Sequence, residues 1–592
     1  MKQTILAVLL AATTLMAAGK DKKSTTMQNA DAIYVNGSVY ISAAKYRPSS
    51  EEQDAGQLPQ SEPAGAVAEA SHRVQAFAVK DGKFLAVGNN EEIQKYKGKK
   101  TITVDLHGKF AMPGFNDAHL HLGEGGREML NVNLVGTKSL DEMKQRIADR
   151  VKAAAPGEWI QGGGWDHTLW AVQKLPTRQD LDAVTAGHPA FFSRVDGHIS
   201  IANTAALTAA HVDKTTTPPE GGAIDHDPQG ELTGIVRESA NELIAKVIPP
   251  PTPSQRRKGI ELALSDAAKW GLTSVQDNSA WEDFLVYEEL ESEGKLTTRI
   301  AEWLPFRAPV NLLSEHRAHH PASDPMLHTT MLKGFMDGSL GSRTAALQHP
   351  YNDDPNNKGL PQFDQETLNK LADERVAAGF QMGFHAIGDA GVQMALDAFA
   401  EAERYAHDHN AGGHEVKDLR FRIEHSQVLS SDQFQRYKEL GVIASMQPNH
   451  LLTDMNWALD RLGTERARYA YAWRDFLDAG VPLAFGTDYP VEPLTPFRGV
   501  YAAVTRQNED GTRDYFRTGR LTIDEAITAY TEGGAYAQFE ENSKGHIAPG
   551  MLADFVVLDR DITDIRPHDI LGTQVLRTVV GGKTVYEVKE GK

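Results

Sequence analysis

Short apolar runs that end in turn residues alternate with stretches of helical period from Met112 to about Glu540. The candidate strands are 110–115, 272–276, 299–304, 331–336, 381–385, 421–425, 442–446 and 483–486. Helical periodicity fills the intervals between them, as at 254–270, 365–378 and 391–407. Strands alternating with helices in this number predict an α/β fold, a (β/α)8 TIM-type barrel of parallel strands. The interval from Leu122 to Gly271 is much longer than one crossover needs. It carries its own strand patterns at 159–162 and 190–194, and predicts an insertion over the barrel mouth at about 123–270.

Both ends of the chain read as short strands. Ile33-Tyr34-Val35 runs into Asn36-Gly37, and Ala76 to Lys80 runs into Asp81-Gly82. Strand patterns return at 554–558, 575–580 and 583–588, with Gly581-Gly582 as a hairpin turn. This arrangement permits a small β domain built from 30–110 and 544–592, around a barrel region at 111–543. The stretch 47–69 is rich in Pro, Ser, Glu and Gln and predicts a surface loop. Residues 1–19 have a lysine near the start, an apolar middle and small residues at Ala17, Ala18 and Gly19. That is the pattern of a cleaved export signal, so a periplasmic or secreted location is expected. The run is too short and too rich in small residues for a membrane span, and none is expected in the mature chain.

Composition changes the picture in three respects. A chain of 592 residues exceeds one small core and suits a large barrel with an accessory domain. A net charge of −19 argues against nucleic acid or anionic lipid as the main partner, because their phosphates would be repelled. There is no cysteine, which removes disulfides and thiolate metal ligands from consideration.

The chemistry lies at the ends of the apolar runs. Phe115-Asn116-Asp117-Ala118-His119-Leu120-His121 places two imidazoles one residue apart at a strand end, where they point the same way and can share a metal ion such as Zn²⁺. Downstream runs present Lys333, His385, His425 and Asp488 in that order. Active residues of a parallel barrel come from the C-terminal ends of several strands, so this order fits one site at the top of the barrel. Lys333 is flanked by apolar residues, where an ammonium is costly unless paired. It reads either as a salt bridge to Asp337 or Asp488, or as a lysine with a lowered pKa. Asp488 reads as a ligand or as a helix cap. His316, His319, His320, His407, His409 and His414 lie in polar stretches, read as solvated, and form no ligand pattern.

The ligand series is accompanied by Gly162-Gly163-Gly164-Trp165-Asp166, Asp196-Gly197-His198, Asp337-Gly338-Ser339-Leu340-Gly341-Ser342-Arg343-Thr344 and Ala548-Pro549-Gly550-Met551-Leu552-Ala553-Asp554-Phe555. On these motifs the chain resembles the amidohydrolase superfamily, in the branch that contains N-substituted formamide deformylase. The resemblance runs from about Ala32 to the end.

It implies a composite β-sandwich and a binuclear centre of two divalent ions, by default Zn²⁺. The ligands would be His119, His121, Lys333, His385, His425 and Asp488, with a CO₂-derived carbamate on Lys333. It implies hydrolysis of an amide-like, non-peptide C–N bond of a small molecule by a metal-activated hydroxide. Asp488 would carry the proton, and His198 would support the oxyanion unless it is only a turn histidine. Trp165, Asp166 and Arg343 are expected near the substrate, with ordinary packing as the alternative. Other readings are the same site acting on an ester, lactone or phosphotriester, or deaminating a ring, and a non-catalytic binding protein on the same barrel. A homodimer is an open expectation.

Overall fold

The computed structural model describes residues 28–42, 73–195, 197–409 and 418–589. The export segment expected at 1–19 and the loop expected at 47–69 lie outside the described residues. Eight strands form one parallel sheet in chain order: β1 (Phe115–Leu120), β2 (Leu272–Asp277), β3 (Arg299–Pro305), β4 (Leu327–Phe335), β5 (Gln381–Ala386), β6 (Arg422–His425), β7 (Ile443–Met446) and β8 (Leu483–Phe485). These strands are almost wholly buried and read as near-continuous apolar runs, as a parallel sheet covered by helices requires. The ring closes just past β8. Asp488 N–H donates to the His119 carbonyl at 2.7 Å, and His121 N–H donates to the Tyr489 carbonyl at 2.7 Å.

The expected first barrel strand at 110–115 is in fact the junction of two strands in different sheets. Phe110–Pro113 pairs antiparallel with Phe555–Leu558 and parallel with Ser38–Tyr40, while β1 begins at Phe115. Pro113 and Gly114 explain the break. Proline has no N–H to continue the ladder, and a Cβ on Gly114 would stand 2.2 Å from the Thr273 side chain. Only a glycine lets the chain pass that close while it changes sheets.

Both chain ends build the β-sandwich. Its six-stranded sheet runs in the order Lys583–Glu587, Val575–Val580, Phe555–Leu558, Phe110–Pro113, Ser38–Tyr40, Arg73–Val74. A four-stranded sheet, Lys83–Gly88, Ala76–Lys80, Ala32–Val35, Ile102–Asp105, belongs to the same region. Phe77 stacks on Tyr34 at 4.8 Å and meets Phe555 edge-on at 4.8 Å, so residues from opposite chain ends share one apolar core. Gly581 and Gly582, at φ 55° and 74°, make the last hairpin. The sandwich is tied to the barrel by Arg299, at the start of β3. Its guanidinium grips Asp554 through two bonds of 2.6 and 2.9 Å, and both side chains are buried.

The interval after β1 folds as a six-stranded mixed sheet, with strands from Val132–Asn133 to Leu232–Glu238. It has apolar clusters of its own. One gathers Trp165, Trp170, Phe192 and Ile201; the other gathers Ile224, Val236 and Ile244. Among the described residues no helix is long and apolar enough to cross a membrane.

Candidate metal centre

The residues after the C-terminal ends of the barrel strands line a cavity of about 360 Å³. His119, His121, Lys333, His385, His425 and Asp488 all face it, although they come from four strands, the residue after β1 and the turn past β8. Asp488 is the hub. Its Oδ1 lies 3.2 Å from His121 Nε2 and 3.5 Å from His119 Nε2. Its Oδ2 lies 3.0 Å from Nε2 of His450, a histidine the sequence analysis did not single out. Two groups with metal-ligating spacing therefore share this carboxylate: His119, His121 and Asp488, and His425, His450 and Asp488.

The imidazoles are oriented from behind. His119 Nδ1 donates to Glu424 Oε2 at 2.8 Å, which leaves the Nε2 lone pair directed to the cavity. Glu424 is in turn bonded by Arg422 Nε at 2.6 Å, and both are fully buried. Burial pushes the Glu424 carboxyl up, but Arg422 and His119 outweigh it and hold the group down to about 2. His121 Nδ1 donates to the Asn278 carbonyl at 3.0 Å, again freeing Nε2. His385 Nε2 donates to the Gly338 carbonyl at 3.1 Å, which leaves the Nδ1 lone pair free in that tautomer. His425 Nδ1 is buried with no hydrogen-bond partner.

Burial lowers the His119 imidazole to about 4 and the Lys333 ammonium to about 8, and takes His425 well below the ordinary histidine range. Burial opposes ionisation of Asp488 too, but the histidines around it hold its carboxyl well below the usual range. Lys333 forms neither of the salt bridges considered from sequence. Its Nζ donates to His119 Nε2 at 3.1 Å and lies 5.2 Å from the centre of the Trp303 ring.

Backbone strain collects here. His425 and Ser426 have φ of 71° and 45°, and Asp488 has φ of 58°, all in the left-handed region that non-glycine residues rarely adopt. Such strain persists where surrounding structure holds a side chain to a task.

The donor set fits divalent metal. Two imidazoles that burial keeps neutral, His119 and His425, an ionised carboxylate and an orphaned buried ring nitrogen converge on one cavity, and the inward nitrogens of His119, His121 and His450 contact only Lys333 or Asp488, which line the same cavity.

Four expected substrate contacts lie elsewhere. His198 is largely exposed and pairs with Glu238 at 3.0 Å within the insertion. Trp165 is fully buried in the insertion core, where its ring N–H donates to the Phe192 carbonyl at 3.0 Å. Asp166 accepts from Arg194 at 2.7 Å and from the Thr168 amide at 3.0 Å. Arg343 grips Asp353 at 2.9 Å. None of the four lines the cavity. Their local partners account for them: an aromatic core anchor, an N-terminal cap and two ion pairs. The wall is instead built by Phe335, Leu340, Ile387, Trp457 and Val491, with Gln427 and Asp454 as polar members. His450 was missed because Gln447-Pro448-Asn449 and a helix start stand between it and the end of β7; its only signal was its position in the loop past a barrel strand.

A match to the amidohydrolase family spans residues 103–586, and the chain belongs to that family. It is 34% identical over 523 residues to the protein LONG AFTER FAR-RED 3 of Arabidopsis thaliana, covering 86% of this chain and 88% of that protein. It is 26% identical over 530 residues to N-substituted formamide deformylase of Arthrobacter pascens, covering 87% and 95%. The crystal structure of an uncharacterized metal-dependent hydrolase from Pyrococcus horikoshii is similar to it with a TM-score of 0.71 at 29% identity, over 90% of this chain and 99% of that one.

Proposed function

We propose that this chain is a metal-dependent hydrolase that cleaves an amide-like, non-peptide C–N bond of a small molecule. The observation that carries the reading is the Asp488 carboxylate, held between His119 and His121 on one side and His450 on the other, at the base of a cavity into which Lys333, His385 and His425 also face. Two divalent ions, by default Zn²⁺, would be held by His119, His121, His385, His425, Asp488 and a carbamate on Lys333. Bound ions supply Lewis-acid polarisation of a carbonyl and ionise water near neutral pH.

The chain's own residues do the rest. Glu424 and the Asn278 carbonyl hold the His119 and His121 rings in the ligating tautomer. Asp488, ionised at neutral pH, accepts a proton from the attacking water at its carboxylate and returns it to the departing nitrogen. His450 fixes the Asp488 carboxylate plane. Phe335, Leu340, Ile387, Trp457 and Val491 give the pocket an apolar wall, which favours a substrate with an apolar or aromatic substituent. A cavity of about 360 Å³ is at the small end of ligand sites, so the substrate is a small molecule. A panel of N-acyl amines, esters and lactones tests the reading. Turnover of N-acyl or N-formyl amines above esters of equal size is the expected result; preference for esters or lactones would overturn the bond assignment. We also propose export through residues 1–19, checked by the N-terminus of the mature chain.

A further inference from the structure

A second histidine cluster lies outside the cavity, between β3 and two outer helices. Helix α1 (Trp281–Ser292) carries Glu288, and α2 (Val310–His319) ends at His319 with His320 as its C-cap. One ligand atom from each of Glu288, His319 and His320 lies within 4.8 Å of the other two. His319 Nε2 is 3.2 Å from Glu288 Oε2, and His320 Nε2 is 3.9 Å from the same oxygen. Ligand atoms bound tetrahedrally at about 2.0–2.1 Å stand about 3.3 Å apart, so small side-chain shifts suffice to close a site.

His320 carries the argument. From sequence it read as a solvated histidine, but it is 4% exposed and its Nε2 has no hydrogen-bond partner. Its Nδ1 stands 2.8 Å from Glu302 Oε1, off the ideal hydrogen-bond direction, and Glu302 is fully buried. Glu302 is on β3 beside Trp303, whose ring meets His119 at 5.0 Å inside the barrel. Strand alternation therefore turns Glu302 outward to the helix layer. The second Glu302 oxygen accepts from Thr329 Oγ1 at 3.0 Å, which fixes the carboxylate. A buried carboxylate behind Nδ1, with Nε2 offered to other ligands, is the way proteins orient metal-binding imidazoles.

The backbone assists. His320 leaves helical geometry at φ −113°, ψ 83°, so adjacent residues place their rings 4.7 Å apart. Trp281 stacks on His316 at 3.6 Å and approaches the His320 ring at 5.2 Å, walling one side with apolar surface.

We propose that Glu288, His319 and His320 hold a divalent transition-metal ion of the Zn²⁺ type, which ties α1 to the end of α2 on the outer wall of the barrel. Imidazole and carboxylate together suit Zn²⁺ and its neighbours better than Ca²⁺ or Mg²⁺. The site shares no residue with the cavity and is independent of the reaction performed there.

The test uses the full chain, stripped of metal, reloaded with Zn²⁺ and desalted, with metal per chain measured by plasma mass spectrometry. Glu288→Gln and His319→Gln are the variants; their side chains are about half exposed, at 49% and 46%, so both fold. Each is expected to hold one ion fewer than the unmodified chain and to show a smaller Zn²⁺-dependent rise in Tm. Glu291→Gln, an acidic neighbour without a ligand role, is expected to keep the full content. Equal metal content in the unmodified chain and both ligand variants would overturn the proposal. An equal loss in Glu291→Gln would overturn it too, because the effect would then be surface charge.

Discussion

Asp488 Oδ2 and His450 Nε2 meet at 3.0 Å across 38 residues of chain. Neither residue lies within a barrel strand: Asp488 is in the left-handed turn past β8, and His450 opens the helix His450–Asp454 past β7. Behind His450, Glu492 lies 4.0 Å from its Nδ1, and Glu492 is held by Arg498 at 2.8 Å and Thr453 at 2.7 Å. The carboxylate that touches His119 and His121 is thus braced from the side opposite to them.

Asp488→Asn keeps the shape of this residue and removes its proton affinity. Turnover is expected to fall by about 10²–10⁴-fold, the usual contribution of general acid–base groups, with circular dichroism unchanged. A variant with near-normal kcat would remove Asp488 from the proton path.

His450→Gln removes the brace while leaving His119, His121, His385 and His425 in place. Loss of a group that orients a ligand costs about 10–100-fold, and the loss is expected in kcat more than in KM. If His450 acts through Asp488, adding His450→Gln to Asp488→Asn costs little more. Additive losses in the double variant would show that His450 has an independent role.

Chelation followed by dialysis is expected to abolish turnover and lower Tm, and Zn²⁺ is expected to restore both. Ligands that bind only the folded chain stabilise it by about 2.7 kcal/mol at 100 times Kd. Reloading is expected to give more activity with added bicarbonate than in CO₂-depleted buffer, because the proposed carbamate would form from CO₂ and the neutral Lys333 amine. Equal recovery in both buffers would exclude the carbamate.

Asp554→Asn is expected to destabilise the chain by about 3–5 kcal/mol, the cost of leaving one member of a buried ion pair uncompensated. Arg299 would lose its bidentate partner, and the amide cannot accept both guanidinium bonds and the Gly581 N–H as the carboxylate does. Urea unfolding measures it; a change under 1 kcal/mol, about the worth of an exposed pair, would mean that solvent reaches Arg299.

The barrel and its cavity-facing side chains were legible because both are written locally. A buried parallel strand is a short apolar run, and the residue at its end faces the cavity whatever the distant chain does. His119, His121, His385, His425 and Asp488 were picked out at strand ends and Lys333 as a charge inside an apolar strand, and the family resemblance joined them into one set. His450 escaped because a Gln-Pro-Asn turn and the start of a helix separate it from its strand.

Other matters were decided only by tertiary structure. The run at 110–115 looks like one strand, and its split between two sheets depends on the Thr273 side chain that crowds Gly114 from β2. Trp165, Asp166, His198 and Arg343 carry side chains that suit a pocket, but each is claimed by a partner in its own neighbourhood. His320 looked solvated, yet an outward-facing glutamate on β3 buries it. Periodicity reports how a segment divides its own faces between core and water; which remote group then meets a given face is set by packing between elements, and local sequence does not encode it.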